Sequence, residues 1–293
     1  MEKKDYNKTN INLFIIIFGL IIFTTKWYYS YFYFDEEIEA KIIFESVSDG
    51  YYNFAPFKAL ANLNLNNSFS PLIDNLGTIT IPIGAFIVHF LFYSIIGTFS
   101  FVILEFFFII FFLIIFYKIS RLLNLSRIQS LTAAIILFNI PNIFQVLNLY
   151  NLQYFNVIFS DFYSLRFPRP IVSAILFFLF IFLILKSDKK KFFTKKNSII
   201  FGIISSLLFT SYFHAFFLQQ IVLIFYLVFK FRSKIIQILK INISYILVYV
   251  LTFLLVSLPF LINMFFADAD FLQRNGLVVF DFKKKLILIK YIF

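Results

Sequence analysis

The chain has no cysteine, one tryptophan, seven glycines and seven prolines, and only 14% of its 293 residues are charged. The missing thiol excludes disulfides, cysteine-type zinc clusters and thiol nucleophiles, and leaves no reporter of redox compartment. Seven scattered glycines leave no room for a glycine-rich phosphate loop or a Rossmann fingerprint. Acids are scarcer than bases, 15 against 26, so the formal charge is +11. A soluble domain is about half apolar and about a quarter charged. At 61% hydrophobic, this chain cannot hide its apolar side chains in one water-soluble core. A soluble enzyme is therefore excluded, and so is a disordered chain, which needs low hydrophobicity. The 48 phenylalanines, with the abundant Ile, Lys and Asn, are the amino acids of AT-rich codons and carry no functional weight by themselves.

What is present is a series of apolar segments. A membrane-crossing helix needs about 20 mostly apolar residues. The first segment, 11–29, follows Lys3, Lys4 and Lys8 and ends in the aromatic belt Trp27, Tyr28 and Tyr29. No small-residue cleavage site follows Thr25, so it reads as a retained anchor rather than a signal peptide. Further segments lie at 79–96, 99–117, 131–149, 171–185, 199–212, 216–229 and 241–266, and a last one at 286–293 stops at the chain end. The expected fold is all-α: a polytopic transmembrane bundle of about seven spans plus a partial eighth, forming a single integral-membrane domain over 1–293. No heptad run or internal repeat is visible.

Lysine and arginine placement sets the expected topology. Four clusters hold 16 of the 26 basic residues: Lys3/Lys4/Lys8; Lys118/Arg121/Arg127; Lys186/Lys189/Lys190/Lys191/Lys195/Lys196; and Lys230/Arg232/Lys234/Lys240. All four share one face only if 79–96, which carries Pro82, Gly84 and His89, is a re-entrant or surface helix. Two full spans there would move the second and third clusters outside. The first arrangement is preferred, with a cytoplasmic N-terminus and outer loops at 31–98, 150–170 and 267–285. Splitting 199–229 into two short helices near His214 keeps its flanking lysines on one side; one long helix does not. Lys283, Lys284 and Lys285 fall outside, against the trend. Each basic cluster adjoins a span, so the bias explains them without nucleic acid.

The first outer loop is expected to contain short juxtamembrane helices. It is acidic between 31 and 76, with Asp35, Glu36, Glu37, Glu39, Glu45, Asp49 and Asp74 against Lys41 and Lys58. Carboxylates at a membrane edge can act as general base toward a hydroxyl or hold a divalent cation beside a phosphate leaving group. The plain alternative is a solvated acidic loop. The second outer loop contains Arg166-Phe167-Pro168-Arg169-Pro170, where two prolines stiffen the backbone. Guanidinium suits bidentate phosphate contacts, and interfacial snorkelling is the alternative. Glu105 is the one acid inside a span, a functional group or a polar contact between helices. His89 and His214 show no metal-ligand spacing. Gln219 and Gln220 read as polar glue between helices.

This organisation resembles the GT-C-type integral-membrane glycosyltransferases, the superfamily that includes protein mannosyltransferases and aminoarabinose transferases. The resemblance lies in a cytoplasmic N-terminus, one span, a long outer loop that opens on the acidic pair Asp35-Glu36, and a string of spans with short connections. It implies that Asp35 is the catalytic or metal-associated carboxylate, with Glu36 second. The implied donor is a polyprenyl-phosphate-linked sugar reached from within the bilayer, the implied location a bacterial inner membrane, and the candidate cofactor a divalent cation. Asp49 is the candidate for holding the acceptor. Arg166 and Arg169 come from the phosphate argument rather than from the resemblance. Family members usually have more spans, so a partner chain supplying C-terminal spans is an expected alternative to a complete enzyme. The rival expectations are a transporter or flippase, with helix breaks at Pro141 and Pro259, and a non-catalytic fragment.

Overall fold

The computed structural model describes residues 6–33, 57, 83–97, 99–146, 171–188 and 192–265. The described residues are almost entirely helical, with no strand among them. The helices are α1 Tyr6–Tyr33, α2 Ile83–Ile96, α3 Phe99–Leu122, α4 Arg127–Val146, α5 Ile171–Asp188, α6 Lys195–Ser211, α7 Phe213–Phe231, a 3₁₀ turn Arg232–Lys234, α8 Ile235–Ile241 and α9 Ile243–Phe265. Over its described residues, each of the seven expected spanning segments is mainly helical.

Three stretches are long and apolar enough to cross a bilayer: Phe99–Leu122, Phe213–Ile241 and Ile243–Ile262. Shorter apolar helices cover Ile11–Thr25, Ile83–Ile96, Arg127–Ile140 and Val172–Ser187. The segment at 286–293 lies outside the described residues. Leucines, isoleucines and phenylalanines stand exposed along α1, α7 and α9, among them Leu13, Ile21, Phe225 and Leu255. Apolar surface on that scale is what a helix facing lipid or another chain presents.

Local chemistry sets the connections. Gly97 takes φ 67 after α2, where its N–H donates to Tyr93 O, and the chain returns directly as α3. At the end of α3, Asn124 occupies the left-handed region at φ 68. Leu125 N–H donates to Ser120 O and Asn124 N–H to Arg121 O, a Schellman cap. Ser126 then opens α4 with reciprocal bonds to Gln129, a capping box. Thr194 caps α6 by accepting from Asn197 N–H.

Two packing centres result. The first joins α1 through α5 around Ile109, Phe112, Leu113 and Phe116. Phe178 of α5 packs edge-on at 4.9 Å from Phe116, and Phe138 of α4 lies 6.3 Å from Phe112. The second centre surrounds α6, which packs against α2, α5, α7 and α9. Gly202 permits the closest approach there. A Cβ on it would lie 2.8 Å from Thr252 Cβ and 2.9 Å from Tyr249 O of α9. Small residues that let backbones meet are the usual device of helix packing in lipid.

The expected hairpin in 199–229 is present. Tyr212 is extended at φ −154 and separates α6 from α7. Phe193 at the start of α6 stacks on Phe231 at the end of α7, 6.1 Å apart, so the two helices run antiparallel. The expected breaks at Pro141 and Pro259 are absent. α4 runs through Pro141 to Val146, and α9 runs through Pro259 to Phe265. A proline inside a helix removes one backbone donor and need not end it where neighbouring groups satisfy the freed carbonyl.

Candidate functional site

Except for Lys26 of α1, which lies beside Trp27 at the other end, the described basic residues gather at one end of the bundle. Trp27 of α1 packs with Phe101, Phe23 lies 5.3 Å from Phe106, and Gly19 meets Ile109 and Ile110. α1 is thus antiparallel to α3, and Lys8 falls at the end where α3 carries Lys118 and Arg121. Lys118 and Lys186 both stand over the Phe182 ring, at 5.9 and 5.6 Å, which brings the end of α5 to the same place. Lys230 stands 5.6 Å over Phe192, so the start of α6 and the end of α7 join them. α9 runs parallel to α6, since Tyr249 meets Ser205 and Phe260 meets Phe209. Its N-terminal end, after Lys240, lies there too.

Asp35, Glu36, Asp49, Arg166 and Arg169 lie outside the described residues, as do the expected short helices of the first outer loop, apart from Phe57. What is described is where their segments join the bundle. Tyr33, at the end of α1, lies two residues before Asp35. Ile171, at the start of α5, lies two residues after Arg169. Both helix ends point away from the basic end. Phe57, a first-loop residue, is fully buried and packs edge-on against Tyr93 and Phe101 at 5.2 and 5.3 Å. That loop is anchored to the α2–α3 hairpin on the same side as Tyr33.

Glu105 is described and buried on α3. The α2–α3 hairpin register places it level with His89, which is also buried. The His89 ring lies 5.5 Å from Phe101 and 5.8 Å from Phe108, one helical turn to either side of Glu105. His89 Nδ1 lies 3.1 Å from Ala85 O. A carbonyl only accepts, so Nδ1 donates in this contact. Sequence reasoning treated His89 and Glu105 separately. The signal that joins them is the turn at Gly97, which sets the pairing of α2 with α3.

A second polar layer crosses α6, α7 and α9. Tyr249 Oη lies 3.1 Å from Ser205 Oγ and 3.0 Å from Gln220 Oε1. The amide oxygen only accepts, so the phenol donates to Gln220 and the serine hydroxyl donates to the phenol. Gln220 thus acts as the expected glue. Gln219 is fully buried one position away, and neither of its amide atoms has a hydrogen-bond partner among the described residues. Ser206 Oγ is in the same condition. Near the Tyr212 turn, Thr210 and Ser211 return their hydroxyl protons to Ser206 O and Leu207 O. Gly84 of α2 sits directly on them. A Cβ there would lie 2.5 Å from Thr210 Oγ1 and 2.6 Å from Leu207 O. The start of α2 and the C-terminus of α6 therefore meet within the bundle.

Among the described residues there is no group of three or more His, Cys, Asp or Glu side chains able to hold a metal. Comparison with protein-family models, with curated proteins and with solved structures finds no match in any of the three.

Proposed function

We propose that this chain is an integral-membrane glycosyltransferase of the GT-C type, moving a sugar from a polyprenyl-phosphate donor to an acceptor hydroxyl on the non-cytoplasmic face. The observation that carries the reading is the polarity of the bundle. The described lysines and arginines other than Lys26 collect at one end, while the helix ends leading to Asp35-Glu36 and from Arg166/Arg169 point to the other. With the basic end cytoplasmic, carboxylates and guanidinium groups enter the same outer face. α2 has 14 residues, about 21 Å at 1.5 Å per residue, short of a hydrocarbon layer of ~30 Å. That length supports the re-entrant assignment.

In the proposed reaction the acceptor oxygen attacks the anomeric carbon. Its bond to the lipid phosphate breaks, and Asp35 takes the hydroxyl proton, with Glu36 assisting and Asp49 holding the acceptor. Arg166 and Arg169 stabilise the charge left on polyprenyl phosphate. The test is sugar transfer from a lipid-linked donor by membranes containing Asp35→Asn. Transfer is expected to be lost at unchanged protein level, and full transfer by that variant removes the mechanism.

One set of observations favours a transporter instead. The polar layer of Ser205, Ser206, Gln219, Gln220 and Tyr249 lies inside the bundle, as do His89 and Glu105. Interior polar groups of this kind line the pathways of transporters. Lipid or solute flux lost with Glu105→Gln but kept with Asp35→Asn selects this second reading.

A further inference from the structure

The basic end contains a cavity that neither reading of the function uses. It has a volume of about 160 Å³ and lies between the start of α6, the end of α7, α8 and α9. Phe192, Phe201, Leu223, Leu227 and Leu239 form its walls, and Tyr249 lines it as well. A dry apolar cavity of about 150 Å³ is large enough to take a benzene-sized guest. An enclosed polar ligand has almost nothing to bond to here, so the guest is hydrocarbon.

The cavity's surroundings are cationic. Lys230 stands 5.6 Å above the ring of Phe192, a wall residue, and donates to Tyr226 Oη at 3.0 Å. The 3₁₀ turn that follows adds Arg232 and Lys234, both exposed, and Lys240 ends α8. Between residues 192 and 265 the chain has six cations (Lys195, Lys196, Lys230, Arg232, Lys234, Lys240) and not one carboxylate. The negative charge that complements them comes from outside this stretch. Ile236 and Ile241 of α8 are 67% and 70% exposed although the helix carries Lys240. A short helix with bare isoleucines beside a basic rim belongs at the boundary between headgroups and acyl chains.

We propose that this end of the bundle is a binding site for an anionic phospholipid, with one acyl segment in the cavity and the phosphate held by Lys230 and the rim from Arg232 to Lys240. The ligand must combine hydrocarbon with a negative headgroup, because the cavity provides for the first and the rim for the second. A basic residue close to an anionic lipid surface contributes about 1 kcal/mol, which corresponds to roughly a fivefold change in affinity. The proposal does not depend on what reaction, if any, occurs at the opposite end.

The experiment uses the full chain purified in neutral detergent, titrated with phosphatidylglycerol, with phosphatidylcholine and with inorganic phosphate. Bound lipid is counted by native mass spectrometry and stability is read from thermal unfolding. Phosphatidylglycerol is expected to saturate and to raise Tm. Lys230→Gln is expected to weaken it about fivefold, and Leu227→Trp, which fills the cavity, to abolish the saturable phase at an unchanged lipid-free Tm. If the tryptophan variant does not fold, Ser198→Leu fills the cavity from α6 and carries the same expectation. Equal binding of phosphatidylcholine, the full Tm gain from inorganic phosphate alone, or undiminished phosphatidylglycerol binding by both Lys230→Gln and the cavity-filling variant each overturns the site.

Discussion

Tyr249 and Gln220 share a hydrogen bond of 3.0 Å between α9 and α7, and Ser205 of α6 closes on the same phenol at 3.1 Å. One hydroxyl thus ties three helices. Tyr249→Phe keeps the ring and removes the link. Interhelical hydrogen bonds in lipid average about 0.6 kcal/mol, with a maximum near 1.7. A double-mutant cycle of Tyr249→Phe with Gln220→Leu, read by unfolding in detergent, is expected to give a coupling in that range. Strict additivity would remove the link.

Gly84 and Gly97 make different demands. At Gly84 a methyl group would press on Leu207 O, a backbone atom that cannot move aside. Gly84→Ala is expected to cost ~1–3 kcal/mol, the usual range for overpacking. At Gly97 nothing lies within 4 Å, but φ is 67. Gly97→Ala is expected to cost about 1 kcal/mol and Gly97→Asn less, because asparagine tolerates the left-handed region. A neutral Gly84→Ala in thermal unfolding would separate α2 from α6.

His89 and Glu105 are expected to couple. His89→Phe preserves packing against Phe101 and Phe108 and removes a buried ring nitrogen level with Glu105. An interaction lost between two such buried groups costs about 1–3 kcal/mol. The double variant His89→Phe/Glu105→Leu is expected to be more stable than either single change predicts by at least ~0.5 kcal/mol. Additive losses would show that the two residues are neighbours without interacting.

The absence of native cysteine allows direct labelling of the two ends. Lys196→Cys and Ser233→Cys are expected to react with a membrane-impermeant maleimide only in inverted vesicles. Ser94→Cys, near the α2–α3 turn, is expected to react only from the opposite side. Labelling of Ser94→Cys together with Ser233→Cys from one side would reverse the proposed polarity and separate the functional site from the outer face.

The helices were legible because composition and length decide helix formation for apolar segments in a medium without water. The hairpin at Tyr212 was legible from charge, since the lysines flanking 199–229 needed a turn between them. Pro141 and Pro259 count as helix breaks only under the transporter alternative, and both helices continue through them, because an internal proline removes one backbone bond without having to end the helix. The placing of His89 level with Glu105 and the layer around Tyr249 were hidden, because they depend on which helix faces meet. Periodicity is silent on that point when every face is apolar. For the candidate site, charge patterning gave the described half, the gathering of lysines and arginines at one end. The chemistry assigned to Asp35, Glu36, Asp49, Arg166 and Arg169 rests on residue type and on the ends of α1 and α5.

The composition of α6 has a consequence for biogenesis. Its 17 residues include Gly202 and five hydroxyl-bearing side chains, and its first turn carries two lysines. Such a segment partitions weakly into lipid as it leaves the ribosome, whereas α7 and α9 are far more greasy. The turn at Tyr212 therefore couples the fate of α6 to its successor. The pair is expected to insert as a unit, with α6 reaching its final surroundings once α9, made last of the described helices, closes over Gly202.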